Sequence, residues 1–139
     1  MMKENPLLHT DGLPRYGEIL PKHVRPAIDQ TLKLAEEILK DLEANDVPTW
    51  GRVMEKLEEI DLLFSRSWAP VEHLLSVKNS DELRLAHEAV QPKVVSMGLK
   101  LRQSQSLFKQ LCALRDGPQS RHLNPPQKRA VMLRIRDAE

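Results

Sequence analysis

Aromatic residues are scarce in this chain: two Trp, one Tyr and two Phe make up 4% of 139 residues. A core must therefore be assembled from Leu, Val, Ile and Ala. Cysteine is nearly absent too. The single Cys112 cannot close an internal disulfide, which fits a reducing compartment. Strand signals are missing: β-branched runs are short, and Asp11-Gly12 and Asp116-Gly117 lie between loop-like or helical flanks rather than alternating segments. No apolar run approaches bilayer length, and Ala130–Leu133 is typical of the longest. The start, M-M-K-E-N-P-L-L-H, has no apolar signal region, and Glu4, Asp11 and Glu18 argue against a transit peptide. A cytoplasmic protein without a membrane partner is expected. Glycine-rich phosphate loops, the G-x-S-x-G elbow, repeats and low-complexity tracts are also missing from the sequence.

Helical periodicity is what the chain does have, and it predicts an all-α fold of about four helices. Residues 1–20 read as an extended lead-in, broken by Pro6, Gly12, Pro14 and Gly17, with Leu7, Leu8, Leu13, Tyr16, Ile19 and Leu20 able to pin it to a surface. A first helix spans about 21–44, with Val24, Ile28, Leu32, Ala35, Leu39 and Leu42 on one face. Asp29–Lys33 and Glu36–Lys40 form i,i+4 pairs on its wet face. Asn45 to Pro48 turns the chain, and Thr49 caps a second helix over 50–68. Its stripe is Trp50, Val53, Met54, Leu57, Ile60, Phe64 and Trp68.

Pro70 ends that helix in this reading, because it lacks a backbone donor and disfavours helix at Ala69. Asn79 or Ser80 then caps a third helix from about 81 to 115, long and kinked at Pro92. Its buried stripe is Leu83, His87, Val90, Val94, Met97, Leu101, Phe108 and Leu111. Residues 116–123 form a loop. Asn124, with Gln127 three positions on, opens a fourth helix carrying Ala130, Val131, Leu133, Arg134 and Ile135. Asp137 and Glu139 have the wrong sign for a helix C-terminus, so the chain is expected to stop inside an element.

Candidate chemistry is incomplete wherever it is sought. His87-Glu88-Ala89-Val90-Gln91 nearly spells the zinc-protease pattern, but Gln91 stands where the second histidine ligand belongs. Glu72-His73 is a lone pair, with His73 expected to be partly buried against a backbone carbonyl. No His, Cys, Asp and Glu groups share zinc-ligand spacing. Cys112, beside Leu111, reads as a buried inert thiol. No catalytic, cofactor-binding or metal residue is assigned.

Charge is unevenly spread. Residues 1–92 carry 11 basic and 17 acidic side chains, whereas residues 93–139 carry 10 basic and 3 acidic. Lys93, Lys100, Arg102, Lys109, Arg115, Arg121, Lys128, Arg129, Arg134 and Arg136 could contact phosphates. Only Phe108 is available there for stacking, so a nucleic-acid partner is not expected.

Several segments in register carry a resemblance. N-P-L-L at 5–8, L-P-R-Y-G-E-I-L-P-K-H-V-R-P-A-I at 13–28, P-T-W at 48–50 and W-A-P-V-E-H-L-L-S-V-K-N-S-D-E-L-R at 68–84 resemble the N-terminal region of the oligopeptidase A and thimet oligopeptidase family of zinc metallopeptidases. The segment H-L-N-P-P-Q-K-R-A-V-M-L-R-I-R-D-A-E at 122–139 is similar to the start of a helix that continues in that family. The bacterial oligopeptidase A branch is the nearest in pattern.

The resemblance implies an almost wholly helical fold with two lobes flanking a deep channel that admits short, unstructured peptides. It also implies a zinc motif, H-E-x-x-H with a distant Glu, several hundred residues beyond this region. The chain would then be a truncated, non-catalytic N-terminal segment that walls the channel, inactive alone, with zinc only in the parent family. Its partner would be the remainder of the parent peptidase, and short peptides would be the parent's substrates. The alternative reading is a stand-alone helical interaction module.

Overall fold

The computed structural model describes residues 5–8, 16–44 and 48–138. Among them are five α-helices and no strand: α1 (Pro21–Ala44), α2 (Trp50–Val77), α3 (Asp81–Gln103), α4 (Gln105–Asp116) and α5 (Pro125–Ala138). The all-α reading holds, with one helix more than expected. The two described parts of the lead-in are short 3₁₀ turns, Pro6–Leu8 and Tyr16–Glu18, rather than extended chain. Leu7 and Ile19 are buried while Tyr16 and Leu20 are exposed. Leu13 and most of the 45–48 turn lie outside the described residues.

Three caps predicted from side-chain chemistry are made. Thr49 Oγ1 accepts from the Arg52 N–H, and Ser80 Oγ accepts from the Leu83 N–H at 3.1 Å. At α5 the Gln127 N–H donates to Asn124 Oδ1 while the Asn124 N–H donates to Gln127 Oε1, both at 2.9 Å. This reciprocal pair satisfies two of the donors a helix start leaves open.

Two helix boundaries differ from expectation. Helix α2 continues through Pro70 to Val77. The proline leaves the carbonyl of the exposed Arg66 without its helical donor, but Pro70, Val71 and Leu74 are all buried, and continuing the apolar stripe outweighs one lost hydrogen bond. Conversely, α3 does not run to 115. It passes Pro92 unbroken and stops at Gln103, where Ser104 takes an extended conformation and caps α4 by accepting from the Leu107 N–H at 3.2 Å. The loop expected at 116–123 holds a 3₁₀ turn, Pro118–His122. Gly117 is needed before it, since a Cβ there would lie 2.5 Å from the Ala113 carbonyl oxygen, which the Gly117 N–H also approaches at 2.7 Å.

The chain forms two compact units, Met1–Ala35 with Ile60–Ser96, and Glu36–Glu59 with Met97–Glu139. The first has a core of Leu7, Ile19, Val24, Ala27, Ile28, Val71, Leu74, Leu83 and Val90, with Trp68 packed against it. Within it Thr31 Oγ1 donates to Ser67 Oγ, which donates to the Leu63 carbonyl. The second unit buries Leu39, Leu42, Val53, Met54, Leu57, Leu107, Leu111, Leu114, Val131 and Ile135. There the fully buried Gln110 donates from Nε2 to the Leu42 carbonyl at 2.7 Å.

Candidate functional site

The histidine singled out from sequence sits in the first unit. His87, 6% exposed, stacks on Trp68 with ring centroids 4.7 Å apart and 18° between planes. Its Nε2 lies 3.2 Å from Oε2 of the half-exposed Glu72. Spacing on α3 put His87 on the buried stripe, where it is. The sequence did not pair it with Glu72, which lies 15 residues earlier on another helix. Glu88 and Gln91, the neighbours that mimic a zinc motif, point away on exposed positions of α3.

Neither remaining lone candidate gains a partner set for chemistry. His73 is exposed rather than partly buried, and its ring lies 5.0 Å from that of Tyr16. Its carbonyl accepts from Ser76 Oγ. Cys112 is half-buried, not buried, because α4 turns Leu107, Gln110, Leu111 and Leu114 inward instead.

A zinc ion is the group the family resemblance implies, and the donors present do not fit it. Among the described residues no group of three or more His, Cys, Asp or Glu side chains is placed to hold a metal. The nearest approach, His87 with Glu72, offers two donors, and the imidazole face is covered by indole. No step of metal chemistry is therefore assigned to these residues.

Much of the basic C-terminal third is committed to local pairs. Lys93 pairs with Asp29 at 3.3 Å, and Lys100 donates to Glu36. The charge of Lys40, the expected i,i+4 partner, still acts on Glu36 as well, after the stronger contact with Lys100. The hydrogen bond and charge of Lys100 hold the Glu36 carboxyl below its ordinary range. Arg115 grips Asp116 through two hydrogen bonds, which lower that carboxyl likewise. Arg121 donates to the Pro118 carbonyl.

Among the hollows of the second unit, two are roomier than a third of about 160 Å³. One, of about 470 Å³, has a floor of Leu57, Leu101, Phe108 and Leu111 with Arg102 and Asp137 among its polar lining. It holds no nucleophile with an adjacent base. The other, of about 570 Å³, runs along α5. There Leu133 is 48% exposed, and Val131 and Ile135 are the buried pair. No helix among the described residues is long and apolar enough to cross a membrane.

The described residues form an all-helical protein with two small cores. Residues 28–139 match the family Neurolysin/Thimet oligopeptidase, N-terminal domain, and the chain belongs to that family. It is 40% identical over 136 residues to oligopeptidase A of Escherichia coli (strain K12), an alignment covering 97% of this chain and 20% of the relative. Two Arabidopsis thaliana proteins are 35% identical over 137 residues, covering 99% of this chain. One is organellar oligopeptidase A, chloroplastic/mitochondrial, matched over 17% of its length, and the other is probable cytosolic oligopeptidase A, matched over 20%. The chain thus spans about one fifth of the length of these curated relatives.

Proposed function

We propose that this chain is the non-catalytic N-terminal helical part of a zinc-dependent oligopeptidase, and that it walls the channel through which short, unstructured peptides reach a distant active site. The observation that carries the proposal is the pattern of coverage: nearly all of this chain aligns with only 17–20% of each relative. In this reading any zinc chemistry would be supplied by another part of the polypeptide, outside the matched region. The role of these residues is steric, admitting an extended peptide and refusing a folded one. A cytoplasmic location agrees with the lone half-buried Cys112 and with one of the two plant relatives, the other being named as organellar.

The test is metal analysis of the isolated chain after dialysis, combined with a quenched-fluorescent peptide assay. Substoichiometric zinc and no turnover are expected. Stoichiometric zinc together with peptide cleavage would overturn the proposal.

A further inference from the structure

Helix α5 divides its side chains sharply. Val131 and Ile135 are buried, whereas the neighbours Met132 and Leu133 are 59% and 48% exposed. Met132 and Leu133 line the groove of about 570 Å³ together with Pro125, and Lys128, Arg129 and Arg136 stand around them. The groove has no acidic lining residue; Arg115 at its edge is already held by Asp116. Two exposed leucines elsewhere differ in kind. Leu62 and Leu85 are single side chains among charged neighbours of their own helices, Glu58, Glu59 and Arg66 in one case and Asp81, Glu82 and Glu88 in the other, and lone exposed leucines are ordinary. Two adjacent apolar side chains in a concave, cation-rimmed surface form a binding surface.

We infer that this groove on α5 is the surface on which the remaining four-fifths of an oligopeptidase A-type polypeptide docks, and that the docking segment presents apolar side chains flanked by carboxylates. The inference rests on the proposed function above. Charge complementarity selects the flanking carboxylates, since the rim offers cations and no anion. The apolar floor selects protein over nucleic acid, because phosphates would engage the cations and leave Met132 and Leu133 wet. The coverage pattern selects the occupant: in each relative a polypeptide about four times as long as this region accompanies it.

The test compares the isolated chain with a full-length chimera in which this chain replaces the matched region of Escherichia coli oligopeptidase A. Met132→Cys, and Leu133→Cys as a second position, is labelled with a maleimide, and the rate is read by mass spectrometry on the peptide containing the new thiol. Both positions are exposed, so neither variant threatens the fold. Labelling at least tenfold slower in a peptidase-active chimera than in the isolated chain is expected. The added changes Lys128→Glu, Arg129→Glu and Arg136→Glu should return the chimera's rate to near that of the isolated chain.

Equal rates in an active chimera would overturn the docking surface while leaving the proposed function standing. Protection that survives the triple charge reversal would overturn the carboxylate chemistry of the partner. Protection that grows with concentration in the isolated chain alone would make a second copy the occupant and overturn the inference. An inactive chimera would remove the proposed function and this inference with it.

Discussion

The imidazole of His87 lies flat against the indole of Trp68, centroids 4.7 Å apart, with its Nε2 turned toward Glu72 at 3.2 Å. The stack joins α2 to α3 inside the first unit and gives the only near-motif histidine in the sequence a packing role. Replacing the ring with a methyl group in His87→Ala should cost about 2 kcal/mol, in the range of large-to-small changes at buried sites. Glu72→Gln should cost less than about 1 kcal/mol, because that carboxylate is half exposed. Urea denaturation gives both values. Trp68 emission, recorded in a Trp50→Phe background, should shift in the first variant and stay nearly unchanged in the second.

Thr31 and Ser67 form a buried relay, with Thr31 Oγ1 donating to Ser67 Oγ at 2.9 Å and Ser67 donating onward to the Leu63 carbonyl at 2.8 Å. Ser67→Ala leaves the Thr31 hydroxyl buried without its acceptor and should cost about 1–3 kcal/mol. The pair Thr31→Val with Ser67→Ala removes both partners and should cost less than the sum of the single changes. A double-mutant cycle by denaturant titration measures that difference.

Ser104 holds the junction between α3 and α4. It caps α4 through the Leu107 N–H and donates to Glu43 Oε2 at 2.8 Å. Ser104→Ala removes both bonds and should destabilise the chain by about 1–2 kcal/mol. Hydrogen exchange should locate the loss in the first turn of α4, with Leu107 among the amides that lose protection.

His23 gives α1 a pH-sensitive start. Its Nδ1 accepts from the Leu20 N–H at 2.9 Å, the role that Glu or Gln fills in a capping box. Burial first, and the neighbouring Lys22 second, lower its pKa below 6.5. The neutral form is therefore favoured by folding, so the unfolded chain binds the proton more readily. Its contribution is present above pH 6.5 and fades as pH falls through the unfolded value toward the lower folded one. The residue is partly exposed, so the effect should stay below about 1 kcal/mol. His23→Gln keeps an acceptor without a titration, and its Tm should fall less than that of the parent between pH 7 and pH 5.

How far the sequence disclosed this arrangement depended on whether the signal was local. Caps at Thr49, Ser80 and Asn124 were legible because each needs only a polar side chain within three residues of the amide it satisfies. Pro70 misled because its local cost was visible while the compensating burial of Val71 and Leu74 came from other helices. The break at Ser104 was hidden for a related reason: no Pro or Gly marks it, and Glu43, 61 residues earlier, is what anchors the serine. The same distance effect explains why Asp29 and Glu36 take Lys93 and Lys100 as partners. The cation-rimmed groove on α5 was half visible, as a basic bias without aromatics. Only the fold shows that Met132 and Leu133 face outward among those charges. The family was legible throughout, from segments that keep their order and spacing over the whole chain.

These residues are proposed to serve an oligopeptidase without performing its chemistry. The most direct measurement is peptide turnover by the full-length chimera beside the isolated chain, using a short quenched-fluorescent peptide at equal molar concentration. The account predicts kcat/KM within about tenfold of the Escherichia coli enzyme for the chimera, since each tenfold is only about 1.4 kcal/mol of transition-state stabilisation, and no turnover by the isolated chain. Turnover by the isolated chain, or a folded chimera without activity, would contradict it.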